Sequence, residues 1–218
     1  VKAALILVAL LATTAHADEL NLANTSAERP HIITVRTGLD HAFVAEVGYD
    51  HVFALRDRVL IAGLDVALPW AELDASDFQV RFGATLPFVE RGAWKLLGRL
   101  GPTLRGNDNA AARMTSLGVD LRVAGGYFRT RGFVALEAGV DWAATTHITH
   151  SDAYRQEVYP DAQDGWYRAT GGTLRAGVYG GVSFGNVDAV LRVSRPFAID
   201  FGDQTIPLAV TLGANVAL

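Results

Sequence analysis

The sequence predicts an all-β fold: an antiparallel up-and-down transmembrane β-barrel of about ten strands, or eight if the first hairpin is misread, after a cleaved signal peptide. Three observations carry this. The first is a period of two. Phe78, Val80, Phe82, Ala84, Leu86 and Phe88 alternate with Gln79, Arg81, Gly83, Thr85 and Pro87; Leu117, Val119, Leu121 and Val123 alternate with Gly118, Asp120, Arg122 and Ala124. Successive strand side chains point to opposite faces, so each segment has an apolar and a polar face. The second is what the faces hold. Gly48, Gly63, Gly83, Gly118, Gly139, Gly177 and Gly213 share the polar face with the charges, whereas Leu60, Ala62, Leu64, Val66, Leu68 and Trp70 include no charge. Glycine weakens a strand unless something packs close to it, so its company with long charged side chains indicates a crowded polar interior. The third is the aromatic pattern. Phe53, Phe88, Trp94, Tyr127 and Phe184 fall at one set of strand ends, and Phe43, Trp70, Phe78, Trp142 and Phe197 at or near the other. Two belts separated by aliphatic residues match two membrane interfaces. A soluble sandwich would reverse the faces.

Residues 1–17 read as a signal peptide: Lys2 gives the positive start, Ala3 to Ala12 an apolar core, and Ala15-His16-Ala17 a small-x-small cleavage site. That run is too short to span a bilayer. Residues 18–30 lack periodicity and read as a periplasmic lead-in. Residues 31–218 then form the barrel. Its strands are expected at His31–Gly38, Phe43–Ala54, Val59–Trp70, Phe78–Phe88 and Trp94–Leu104, followed by Met114–Tyr127, Gly132–Ala143, Thr173–Phe184, Val187–Phe197 and Thr205–Leu218. Most reach the ~9–11 residues a tilted strand needs to cross hydrocarbon. Tight turns at Arg56-Asp57, Glu90–Gly92, Arg129–Arg131 and Gly185-Asn186 alternate with longer connections at Ala71–Asp77, Arg105–Arg113, Ala144–Gly172 and Ala198–Gln204. Short turns on one rim and long loops on the other suit an outer-membrane barrel.

Composition narrows the function. A net charge of −4 disfavours nucleic acid as partner, and the absence of cysteine removes disulfides and thiolate chemistry. No cofactor is implied. The polar face gathers Arg36, Arg81, Arg99, Arg122, Arg175 and Arg192 with Glu46, Asp50, Asp65, Asp120, Glu137, Asp141 and Asp188. Enclosed charges persist only when paired, so these thirteen are expected to form a lumen charge network. The 144–172 connection offers surface-binding candidates in His147, His150, Asp152, Tyr154, Trp166 and Tyr167. His147-x-x-His150 alone is not a metal motif, and no metal site is assigned.

The leader, the antiparallel strands, the tight inner turns and the alternating last strand, Ile206 to Leu218, resemble the small Gram-negative outer-membrane β-barrel proteins, broadly the OmpA-like and OmpW-like barrels. Members typically end on a lipid-facing Phe or Trp; Leu218 stands here. The resemblance implies a bacterial outer-membrane location reached through the periplasm, with outer-membrane lipids and the barrel-assembly machinery as partners. Two enzyme families use similar barrels: lipid A deacylases rely on His-x-Ser with a carboxylate, and omptin proteases on an Asp/His pair with an Asp pair at the outer mouth. His150-Ser151, Asp40-His41 and Asp50-His51 do not reproduce those spacings. No enzyme is expected. The leading expectation is a structural or surface-interaction barrel with a charge-filled lumen. A narrow channel for small polar solutes or ions is the alternative, and a hydrolase at the extracellular mouth the third. Ligand and oligomeric state are not legible.

Overall fold

The computed structural model describes residues 19–40, 42–56, 58–70, 76–199 and 206–218; the expected signal peptide lies outside them. Ten strands follow one another: β1 (His31–Leu39), β2 (Phe43–Leu55), β3 (Arg58–Pro69), β4 (Phe78–Arg91), β5 (Trp94–Asp108), β6 (Ala112–Arg129), β7 (Gly132–His150), β8 (Gly165–Phe184), β9 (Val187–Ala198) and β10 (Ala209–Ala217). One helical turn and a half, α1 (Asp152–Glu157), joins β7 to β8. Each strand pairs antiparallel with its sequence neighbours, and β1 pairs with β10 to close the barrel. The closing register runs from Ile32 opposite Ala217 to Leu39 opposite Val210. Closure leaves no open sheet edge.

The faces divide as the alternation requires. On β2, Val44, Glu46, Gly48, Asp50 and Val52 are buried inside while Phe43, Val47, Tyr49 and Phe53 are exposed outside. The exterior carries Val35, Val47, Leu100, Leu121, Leu136, Leu191 and Leu212, all exposed, between rims bearing Phe43, Trp70 and Trp142 at one end and Phe53, Phe88, Trp94 and Phe184 at the other. Arg195, a cation on this outer face, holds its guanidinium 5.0 Å from the Phe197 ring centre. The lumen glycines make room for arginines. A Cβ at Gly83 would meet Arg99 Nη2 at 2.7 Å, one at Gly139 would meet Arg122 Cγ at 2.8 Å, and one at Gly213 would meet Arg36 Cγ at 2.5 Å. In the tight turns the requirement is different. Gly92 and Gly185 have φ of +61° and +68° with open space around them, so their role there is conformational.

Two of the expected long connections are largely strand. The Arg105–Arg113 segment reduces to a turn at residues 109–111, and the 144–172 loop to residues 151–164, because β7 and β8 run for 19 and 20 residues. The reason is a bulge at Ala144. Gly118 faces Ala143 and Leu117 faces Thr145, leaving Ala144 over. On the other side Ala143 faces Gly171 while Thr145 faces Arg168. A bulge shifts the alternation by one residue, and Ala143-Ala144-Thr145-Thr146 offers no apolar–polar contrast to reveal it. Among the described residues the last strand starts at Ala209; the expected start at Thr205 lies outside them. Residues 206–207 bend, and Pro207 cannot donate to the ladder.

The segment 19–30 folds into the short-turn end of the barrel, where Glu19, Leu20, Asn21 and Leu22 are all buried. Its aperiodic sequence reflects this: it is a stopper made of single contacts, with no face to repeat.

Candidate functional site

The lumen is built in three levels. The lowest, beside the short turns, is apolar. Ile32, Val52, Ile61, Leu97, Ala124, Phe128, Phe133, Ala135, Tyr179 and Val190 point inward there and enclose Leu20 and Leu22. Phe128 and Phe133 stack with ring centres 5.8 Å apart, and Tyr179 meets Phe133 edge-on at 6.1 Å. Polar bonds fasten the stopper. Asn21 Nδ2 donates to Arg129 O and to Ser183 Oγ, both at 2.8 Å, and the Asn21 amide donates to Asp188 Oδ2 at 3.4 Å. Lys95 Nζ donates to Leu22 O at 3.1 Å, and Asn24 Nδ2 to Thr130 O at 3.0 Å.

The middle level is ionic. One alternating chain of charges crosses the lumen. Asp65 accepts from Arg81 Nε at 2.9 Å, and Arg81 Nη2 reaches Glu46 at 2.7 Å. Glu46 accepts from Arg36 Nη1 at 2.5 Å, and Arg36 Nε lies 3.4 Å from Glu19. Glu19 then meets Arg192 at 3.2 Å, which donates to Glu137 at 2.6 Å. Glu19, on the stopper, links the β1–β4 half of the chain to the β7 and β9 side. A second group forms on Asp120, which accepts from Arg99 at 2.6 Å and from Arg122 at 2.9 and 3.1 Å. The Arg99 and Asp120 side chains are each 1% exposed, so both charges rely on protein partners and not on water.

The upper level opens toward the long-strand rim as a cavity of about 220 Å³. Asp40, Asp77, Gln79, Arg105, Asn107, Ser116, Asp141, Thr173 and Arg175 line it, with Phe78 and Met114 at its apolar margin. Arg105 is ion-paired with Asp141, and Arg175 Nη2 with Asp40 Oδ1 at 2.8 Å. The Gln79 amide, oriented by its neighbours, accepts from Arg105 Nε at 2.9 Å. Guanidinium–carboxylate pairs, amides and hydroxyls thus present donors and acceptors to a small polar solute.

All thirteen expected lumen charges face inward, and eleven of them take part in these three levels as ion-pair members. Asp50 is fully buried on β2, and Asp188 accepts the backbone amide of Asn21. Three further members escaped the sequence reading: Glu19, Asp40 and Arg105. Asp40 and Arg105 sit where strands were taken to have ended. Glu19 followed the expected cleavage site in an aperiodic run.

The six surface candidates do not form one site. His147 and His150 are three apart on β7 and so lie on opposite faces, which prevents them from sharing an ion. His147 meets Trp166 edge-on, ring centres 5.2 Å apart. His150 stacks on Tyr154 at 5.3 Å and belongs to the cap. Asp164 ties that cap together, accepting from the His150 amide at 2.8 Å, from His150 Nδ1 at 3.1 Å and from Arg155 Nη2 at 2.5 Å. The His150 amide bond first, then Arg155, hold the Asp164 carboxyl down at about 2. Ser151 caps α1, accepting the Tyr154 amide at 3.1 Å, and its hydroxyl donates to Ala110 O at 2.7 Å across the rim. Asp152 is exposed beside Arg155, and Tyr167 Oη donates to Gln163 O. His41, of the Asp40-His41 pair, lies outside the described residues.

No protein-family model matches the chain, and no curated protein matches it. Among solved structures it is similar to a KdgM porin, with a TM-score of 0.44 and 8% identity over 86% of this chain and 99% of that one. A KdgM porin in complex with disordered oligogalacturonate gives 0.43 and 9% over the same shares.

Proposed function

We propose that this chain is an integral barrel of the bacterial outer membrane, of the small Gram-negative OmpA-like or OmpW-like kind. Its short turns would face the periplasm, and its β5–β8 wall would present a vestibule and cap to the outside. In its resting form it is closed. Its role is structural and surface-interacting, with outer-membrane lipids around it and the assembly machinery needed to insert it. One observation carries the reading: an apolar exterior between two aromatic rims, with Arg195 set against the Phe197 ring, surrounds a lumen that holds paired charges. In water that exterior would be an exposed greasy patch far beyond the few hundred Å² a monomer tolerates, whereas in lipid it is the favourable surface. Closure follows from the stopper and the ion pairs together, which fill the narrow bore of ten strands. Refolded protein in a planar bilayer tests both parts. Heat-modifiable gel migration with no conductance steps is expected. A freely water-soluble protein would sink the membrane reading, and a steady open current would sink the closed one.

A further inference from the structure

We infer that the barrel has a second, conducting activity, gated by its own segment 19–30: the stopper is a releasable latch, and small ions pass when it leaves. The inference rests on the membrane-barrel reading above and goes beyond its resting state. Three features of the seat distinguish a latch from a structural core.

The segment contributes no strand, and its one backbone–backbone bond to a strand among the described residues is at its base, where Pro30 O accepts from the Val52 amide at 2.8 Å. The bonds of residues 19–24 to the barrel run to side chains and to carbonyls of the tight turns. Asn21 holds Arg129 O and Ser183 Oγ, Asn24 holds Thr130 O, and Lys95 holds Leu22 O. Release therefore leaves the sheet intact.

The charges around Glu19 remain compensated without it. Arg36 keeps Glu46 at 2.5 Å, and Arg192 keeps Glu137 at 2.6 Å. Both of these carboxylates belong to strands. Asn215, whose Nδ2 donates to Glu19 O, still accepts from Thr34 Oγ1 at 2.9 Å. Removing one member of a buried ion pair is normally severe because it strands the other. Here the arginines have a second partner built in.

The hold is a short set of discrete contacts: two leucines in an apolar seat, a shared carboxylate, and the hydrogen bonds of Asn21, Asn24, Lys95 and Asn215. The covalent tether at Pro30 supplies an effective concentration in the millimolar range that keeps the seat filled at rest. Withdrawal of Glu19 removes the link that carries the ion-pair chain across the lumen, and with Leu20 and Leu22 gone, Val52, Ile61, Phe128 and Phe133 line a vacated apolar throat, the kind of constriction that gates by wetting.

The chain has no cysteine, so a single introduced thiol reports the segment cleanly. Leu22→Cys, buried at 5% exposure, is reacted with a membrane-impermeant maleimide in the native background and in Glu19→Gln/Leu20→Asp. The same proteins are recorded in planar bilayers in potassium chloride. In the native background slow labelling and electrical silence are expected. In the double variant labelling rises at least about tenfold and discrete conductance steps appear. Adding Asn24→Cys and Thr130→Cys to the variant that retains Leu22, to tether the segment to its turn, abolishes the steps under oxidant and restores them under reductant. Heat-modifiable migration reports barrel folding separately; should the double variant lose it, Glu19→Gln alone is read in the same way. Fast labelling with continued silence overturns the gate, since the segment would then be out and the lumen still shut. Slow labelling in every folded variant overturns the latch. Neither result touches the membrane reading, whereas loss of bilayer insertion by the native chain would.

Discussion

The two lower levels of the lumen close the same tube by opposite chemistry. The floor uses Leu20, Leu22, Ile32, Val52, Ile61, Phe128 and Phe133, which need only fit together. The level above uses Arg81, Glu46, Asp65, Arg99 and Asp120, each of which needs a particular partner at a particular distance. Apolar packing is non-directional and roughly additive in area. A buried charge network is directional: whole, it fixes which strand lies beside which; broken, it costs more than it ever contributed. The floor can therefore be completed by a segment that belongs to no strand, whereas the ionic level is anchored almost wholly on strands, with Glu19 the exception.

The sharpest way to break this contrast is Arg81→Ala. Arg81 bridges Glu46 and Asp65 on two neighbouring strands, so its loss takes a buried cation from both carboxylates, although Arg36 still holds Glu46. A loss of roughly 3–5 kcal/mol is expected, as for one partner removed from a buried pair, read as a lower midpoint in urea-driven loss of heat-modifiable migration. Ile61→Ala attacks the floor at a side chain with no exposure at all. About 2–5 kcal/mol is expected for a buried isoleucine, with the figure near the lower end because Leu20 and Leu22 belong to no strand and can shift into the gap. A loss for Ile61→Ala larger than that for Arg81→Ala would invert the comparison.

The sequence disclosed these levels unequally. The ionic level was legible because Arg81, Asp120, Arg122 and Glu137 interrupt apolar alternation at the right parity. The floor was partly visible in hindsight. Val52-Phe53, Leu60-Ile61, Leu96-Leu97 and Phe133-Val134 are apolar on both faces beside the short turns, which is what an apolar lumen end must look like. The stopper was invisible, because a segment held by individual bonds has no period. The upper reach of β7 and β8 was hidden by the bulge at Ala144, whereas the vestibule members Asp40 and Arg105 were missed because they sit just past the strand ends that alternation defined.

A smaller effect sharpens the account of the ionic level. Gly83→Ala would place a methyl 2.7 Å from Arg99 Nη2 and 2.9 Å from its Nε. The guanidinium is the far end of a flexible chain, so it can move, but moving loosens its 2.6 Å bond to Asp120. Overpacking of this kind costs about 1–3 kcal/mol. Arg122 still holds Asp120, which keeps the effect below that of Arg81→Ala. An unchanged midpoint would mean that the arginine has slack, contrary to a lumen packed around glycine.

The smallest effect lies outside the lumen, at the cap, where a charge is paired in water and not in a closed tube. Asp164 is held at about 2 against an ordinary 3.8 by the His150 amide and Arg155. A depressed carboxyl pKa gives the folded cap an advantage that is complete above about pH 4 and disappears as the pH falls toward 2. Because Asp164 is exposed, the advantage is local ordering and not barrel stability. Exchange protection of the His150 amide should therefore be flat from neutral pH to about 4 and decline below it, while the barrel's unfolding midpoint is unmoved by the cap. Asp164→Asn keeps an acceptor for that amide but removes the titration. Its protection should be lower throughout and free of the acid decline. If the asparagine variant keeps the same decline, the cap is ordered by the Ser151 cap and the His150–Tyr154 stack alone, and the contrast between solvent-screened and enclosed charge in this molecule loses its outer term.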